Sequence, residues 1–131
     1  MAWTPLTPGA AAQAIPAALE RGGWQEAFRV VIQLIIDIAG VPDAEVPRLL
    51  DNRPAPTGDK RFDALLAGVV EDLCLGRGLP APGWVAEPER FLDEWWFVED
   101  VPALHGSAMA RAPAALAIRG VFVPRESLES V

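Results

Sequence analysis

An apolar stripe between Trp24 and Ala39 constrains the fold of this chain more than any other feature of its sequence. Apolar residues recur there at spacings of three and four, which places one set on a single helical face: Trp24, Ala27, Phe28, Val31, Leu34, Ile35 and Ile38. Three more widen that face: Val30, Ile32 and Ile36. So wide a stripe is typical of a helix packed on several sides, and it also allows two copies to form a homodimer.

A second stripe predicts a helix from Asp59 to Arg77, with Asp59 as N-cap and Gly78 as the C-terminal stop. Its apolar positions are Phe62, Leu65, Leu66, Val69, Val70 and Leu73. The two amphipathic helices are expected to pack against each other. Upstream, Thr7-Pro8 has the form of a helix start. That first helix should end at Gly22-Gly23 and be kinked or split at Pro16.

The rest of the chain predicts short elements around these helices. Residues 41–58 carry four prolines and form a connector, with a short helix around 44–50. Residues 101–111 and 113–119 are two further candidate helices, and 121–123 is a brief extended run. The segments 1–58 and 59–131 are each marginal as separate cores. We therefore expect one helical domain over 1–131: an all-α, compact bundle with a Pro-rich connector and an irregular aromatic-rich segment.

Charge and composition exclude several classes of function. The chain has 11 Lys and Arg against 18 Asp and Glu, a net charge of −7, so direct binding to nucleic acid is not expected. Its most apolar stretch, 30–41, is shorter than the roughly 20 residues that a membrane span needs. A single Cys excludes an intrachain disulfide, and no targeting segment is visible. These features predict a soluble, cytoplasmic protein.

The sequence also lacks most catalytic equipment, with one His, one Cys and no Tyr. His105 and Cys74 are too isolated to predict a zinc site, and no nucleophile-elbow motif surrounds Ser107. We therefore predict no catalytic residues, no metal and no cofactor. The alternative of a small carboxylate-based enzyme would need several acidic residues to converge in one pocket, drawn from Asp59, Asp63, Glu71, Asp72, Glu94 and Asp100.

Residues 79–100 form a segment rich in aromatic and acidic residues, which we call the aromatic-acidic segment. Residues 87–100 hold six acidic residues and one basic residue, Arg90. One interpretation is that the rings pack in the core, with helical spacing at Phe91 and Trp95. The other is that at least one of three consecutive aromatics is exposed and binds a basic partner protein. The residues predicted to bind that partner are Trp84, Arg90, Glu94, Trp95, Trp96, Phe97, Glu99 and Asp100.

Several motifs occur together in the second half of the chain. They are TGDxRFDALLAG (57–68), GLPAPxW (78–84), EPERFLD (87–93), WFV (96–98), APAALxIRGVFV (112–123) and the terminal SLESV. In combination they resemble a family of small proteins of high-GC bacteria. Relatives in that family look like antitoxin partners of nucleotidyltransferase-type toxins, and some resemble the tail of helix-turn-helix regulators.

The resemblance implies an antitoxin or accessory subunit that neutralises a basic toxin. It also keeps a second alternative open, a transcriptional regulator or a ligand-sensing fragment of one. The chain departs from the family at Ala117-Ile118, where relatives usually carry arginines. Any basic contact of that region would therefore rest on Arg119.

Overall fold

The computed structural model describes residues 3–129, which are 62% helix and 3% strand. The helices are α1 (Pro8–Ala39), α2 (Val46–Leu50), α3 (Lys60–Gly76), α4 (His105–Arg111), α5 (Ala114–Ala117) and α6 (Arg125–Leu128). Two short strands, β1 (Trp96–Phe97) and β2 (Val121–Phe122), complete the regular structure with 3-10 turns at Gly83–Ala86, Pro88–Arg90 and Pro102–Leu104. The prediction of a mostly helical fold is confirmed. No helix among these residues is both long and apolar enough to cross a membrane.

Helix α1 consists of two halves, and a sharp bend at Gly22 and Gly23 separates them. Both glycines have non-helical backbone angles, and Gly23 has a φ of +72°, which favours glycine. The backbone N–H of Leu6 donates to Asp37 Oδ2 at 2.7 Å, so the start of α1 lies beside its end. The halves 8–21 and 24–39 therefore run antiparallel.

The start of α1 follows the sequence prediction, but the helix is not split at Pro16. Thr7 Oγ1 accepts a hydrogen bond from the N–H of Ala10 at 3.2 Å, as an N-cap does. At Pro16 the backbone stays helical. Pro16 lies on the exposed side of the helix, where water can bond the carbonyl that its missing N–H leaves free.

Helix α3 is the centre of the core. Its apolar stripe is almost fully buried and packs against α1, α5 and the turns at 83–90. Asp59 caps its start, because the Asp59 side chain accepts a hydrogen bond from the N–H of Arg61 at 2.9 Å. The predicted packing of the two long amphipathic helices is confirmed.

Arg77, at the end of α3, ties that helix to the end of α1. Its Nη1 donates to the carbonyl of Ile38 at 2.8 Å, and its Nη2 donates to the carbonyl of Val41. Its Nε donates to Asp43 Oδ1 at 2.6 Å. The guanidinium thus joins the end of α3 to carbonyls at and just beyond the last turn of α1.

The aromatic-acidic segment is not helical around its consecutive aromatics. Instead β1 pairs in parallel with β2, and Trp96 lies opposite Val121. The N–H of Trp96 donates to the carbonyl of Gly120 at 2.7 Å, and the N–H of Val98 donates to that of Phe122 at 3.1 Å. The interpretation of helical spacing around Trp95 is therefore wrong, because the backbone here is extended and its side chains alternate between two faces.

Candidate protein-binding site

The TGDxRFD motif builds the start of α3. The backbone N–H and the hydroxyl of Thr57 both donate to Asp63 Oδ1, each at 2.9 Å. Between Thr57 and the capping Asp59, Gly58 has a φ of +89°, which a residue with a side chain rarely adopts. The motif therefore has a structural role at this helix terminus.

Trp84 and Arg90 form a buried pair below the surface of the aromatic-acidic segment. Trp84 Nε1 donates to the carbonyl of Leu50 at 2.8 Å, and the Arg90 guanidinium lies 4.7 Å from the centre of the Trp84 ring. Arg90 also donates to the carbonyl of Pro54 at 2.9 Å and to Glu87 at 3.1 Å. With exposures of 6% and 3%, Trp84 and Arg90 belong to the core.

Arg119 is also buried, with an exposure of 1%. Its Nη1 donates to Glu71 Oε1 at 2.8 Å, and Nη2 donates to the carbonyl of Val85 at 2.6 Å. The guanidinium lies 4.6 Å from the centre of the Phe91 ring. The expected external contact through Arg119 is wrong, because this side chain links α5 to α3 and to the turn at 83–86.

Trp96 faces inward from β1. Its ring centre lies 5.3 Å from that of Phe62 in α3, and the side chain is 8% exposed. Of the eight residues predicted to bind a partner, three are therefore core residues: Trp84, Arg90 and Trp96. A partner could not touch them without opening the fold, which corrects the expectation that they lie on its surface.

Trp95 and Phe97 lie on the opposite face of the strand. Their ring centres lie 5.4 Å and 5.2 Å from that of Phe122 in β2, which supports them from behind. The Trp95 side chain is nevertheless 65% exposed. His105, from α4, stacks on Phe97 with ring centres 3.8 Å apart. Of the three consecutive aromatics, Trp95 is therefore the exposed one, and its ring packs against that of Phe122.

Acidic side chains surround these rings along the chain. Glu94, Glu99 and Asp100 are exposed, and Asp100 Oδ1 lies 2.9 Å from Nε2 of His105. Among the residues that the structure describes, none places a cationic group within 4.0 Å of the carboxylates of Asp93, Glu94 or Glu99. We use the name aromatic-acidic face for the exposed and partly exposed residues of this stretch together with the stacked His105: Glu94, Trp95, Phe97, Glu99, Asp100 and His105.

The sequence contained no signal for His105 or Phe122 as parts of this surface. Both come from elements outside the aromatic-acidic segment: Phe122 reaches Phe97 through the parallel pairing of β1 and β2, and His105 stacks on it from α4. Near them, three further apolar side chains of the stretch 101–109 are exposed: Val101, Leu104 and Met109.

Four of the carboxylates considered for an enzyme have structural partners of their own. Asp59 and Asp63 shape the start of α3, whereas Glu71 pairs with Arg119 and Asp72 with Arg125 at 2.9 Å. Across residues 3–129, no three His, Cys, Asp or Glu side chains lie together in a way that could hold a metal ion. The two remaining acids, Glu94 and Asp100, lie on the aromatic-acidic face.

No protein-family model matches the chain, and neither a curated protein nor a solved structure gives a match. The resemblance to antitoxin partners therefore stays a prediction from the motifs.

Proposed function

We propose that this protein is a non-enzymatic binding module whose aromatic-acidic face docks onto a protein with a basic surface. The observation that carries the proposal is the position of Trp95, a large ring that is 65% exposed beside uncompensated carboxylates. Trp is enriched among the residues that contribute most to protein interfaces. An exposed ring of this size is therefore better explained by a contact than by the packing of the chain itself.

The support under Trp95 favours this role. Phe122 holds the indole edge-on, with an interplanar angle of 76°, and Phe122 itself is 6% exposed. A ring held in this way loses little conformational freedom on binding, so more of its contact energy is available for affinity. The free face of an indole is also a good acceptor for the guanidinium or ammonium group of a partner.

The charges define the kind of partner. Nine arginines are paired with carboxylates, whereas Asp93, Glu94 and Glu99 have no cationic group within 4.0 Å among the described residues. Their negative potential would steer a positively charged surface toward Trp95 and raise the association rate. The partner should therefore present Lys and Arg around an apolar or cationic contact.

Within this class, the motif resemblance favours an antitoxin or accessory subunit of a nucleotidyltransferase-type toxin. Such an enzyme needs a positive cleft for its nucleotide or RNA substrate, and an acidic protein with an aromatic anchor can occupy that cleft. Neutralisation would then require binding alone and no chemistry from this chain.

The test is co-expression with the product of the neighbouring gene, followed by affinity measurement on the purified pair. Trp95→Ala should weaken binding about 30-fold or more, because it removes the central contact. Leu75→Ala is the matched control, since Leu75 is 66% exposed and lies at the end of α3. It should bind as the parent protein does.

Two outcomes would contradict the proposal. One is that the two proteins elute separately and toxicity persists when both are present. The other is that Trp95→Ala and Leu75→Ala bind equally well. Circular dichroism should show that both variants keep the parent helicity, because both side chains are largely exposed.

A further inference from the structure

We infer that a second surface of this protein, a groove along α1, is an interface between two copies of the chain. The groove encloses about 660 Å³ between the 24–39 half of α1 and the segments that follow β1 and β2. One wall is the helix, with Trp24, Phe28, Ile32 and Ile36. The other wall includes Val98 and Val123.

The helix wall is suited to a long contact. Its four apolar residues are spaced by four, so they form one row that runs about 18 Å along the helix. Ile36, at one end of the row, is 42% exposed, and Trp24 and Phe28 are half-buried. A partner that covers these side chains removes apolar area from water, and this burial stabilises the complex.

The charges on the two walls indicate what that partner is. Arg29 lies on the helix wall with 78% of its side chain exposed, and Glu99 lies on the opposite wall. The Nη1 of Arg29 donates to Glu26 Oε1 at 2.9 Å, which leaves its other N–H groups for a second carboxylate. A groove with one cation and one anion on facing walls is complementary to itself. In a two-fold dimer, Arg29 of each copy can approach Glu99 of the other, and the same pair of contacts forms twice.

The other candidate surface cannot serve this purpose. Two copies of the aromatic-acidic face would bring Glu94 and Asp100 of one copy toward those of the other, and these like charges would repel each other. A second copy should therefore approach through a face that carries both signs of charge, as the groove does. This inference does not rest on the proposed function, since a dimer could form with or without a basic partner.

The experiment is sedimentation equilibrium of the full chain, with two variants that make the same change in different places. Ile36→Glu puts a carboxylate in the groove, whereas Ile118→Glu changes an isoleucine of 65% exposure that does not line the groove. The parent chain and Ile118→Glu should sediment at twice the 14.1 kDa of one chain. Ile36→Glu should raise the dissociation constant of the dimer about tenfold or more.

A charge exchange tests the pairing itself. Arg29→Glu alone and Glu99→Arg alone should each weaken the dimer, and the double variant should recover most of the loss, because the pair is restored with its signs reversed. Circular dichroism checks that each variant keeps the parent helicity, which exposed positions should allow.

Three results would overturn the inference. The parent chain could sediment at 14.1 kDa at every concentration up to about 100 μM, which would leave the groove to a small apolar molecule or to a helix of another protein. Ile36→Glu could dimerise as well as Ile118→Glu does. The double charge variant could fail to recover association that both single variants lose.

Discussion

Two buried arginines show why the sequence gives the net charge of the protein but does not predict which residues form its binding surface. The sequence predicts a partner contact for Arg90 and an external basic contact for Arg119, yet both guanidinium groups face the interior. Each one donates to backbone carbonyls that are distant in sequence, those of Pro54 and Val85 among them. A pattern of residue types cannot predict such contacts, because they depend on how distant parts of the chain pack together.

Glu87 gives this protein an acid-sensitive contact. A hydrogen bond from Arg53 at 2.6 Å, joined by one from Arg90, holds the pKa of the Glu87 carboxyl below its ordinary value. Because the folded pKa is the lower one, the stabilisation is fully present above the ordinary pKa of about 4.3. It is lost as the pH falls through the lowered pKa of the folded protein.

We therefore expect Glu87→Gln to lower the melting temperature at neutral pH and to have little effect in strong acid. Thermal unfolding of the parent and the variant at a series of pH values measures this difference. Glu89→Gln is the control, since Glu89 is exposed and has no cation within 4.0 Å among residues 3–129. A Glu87→Gln effect that is the same at every pH would show that the charge of Glu87 does not matter.

At the scale of elements, periodicity predicted the long helices well, and the predicted extended run at 121–123 contains β2, but β1 was not predicted. The apolar rows of α1 and α3 extend over several turns, so their faces can be read from the sequence. Strands β1 and β2 have two residues each, which is too short for an alternating pattern. For the same reason Trp95 could not be distinguished from Trp96, although one is exposed and the other buried.

The contact between α3 and α5 depends on a glycine. A Cβ added to Gly68 would lie 2.3 Å from Leu116 Cδ2 and 3.3 Å from the carbonyl oxygen of Ala115. Leu116 is fully buried and has little room to move. The two helices can therefore approach this closely only because position 68 has no side chain.

We expect Gly68→Ala to destabilise the fold by about 1–3 kcal/mol, as other insertions into packed cores do. Gly76→Ala, at the end of the same helix, has nothing within 4 Å of the added Cβ. It should be neutral or stabilise by up to about 1 kcal/mol through helix propensity. Urea unfolding of both variants gives the comparison, and equal effects of the two changes would contradict the packing argument.

At the scale of the whole molecule, the two proposed surfaces use different parts of one core. The aromatic-acidic face projects from β1 and α4, and the groove lies along α1. Glu99 borders both, since it lines the groove and belongs to the acidic side chains near Trp95. A dimer would therefore place two copies of the aromatic-acidic face in one particle, and a partner with two sites would bind it with increased avidity.

The core itself predicts how the chain unfolds. One continuous cluster of buried residues includes Ile15 of α1, Leu66 of α3 and Leu128 of α6, and Arg77 links the ends of the two long helices. Neither 1–58 nor 59–131 keeps its packing partners when it is alone. We expect each fragment to lose most of its helicity and to unfold without a cooperative transition, whereas the full chain should show one transition by fluorescence and by circular dichroism. A fragment that unfolds cooperatively by itself would show that the chain holds two domains, and the packing of α1 against α3 would then contribute less to the stability of the fold than the burial of both helices indicates.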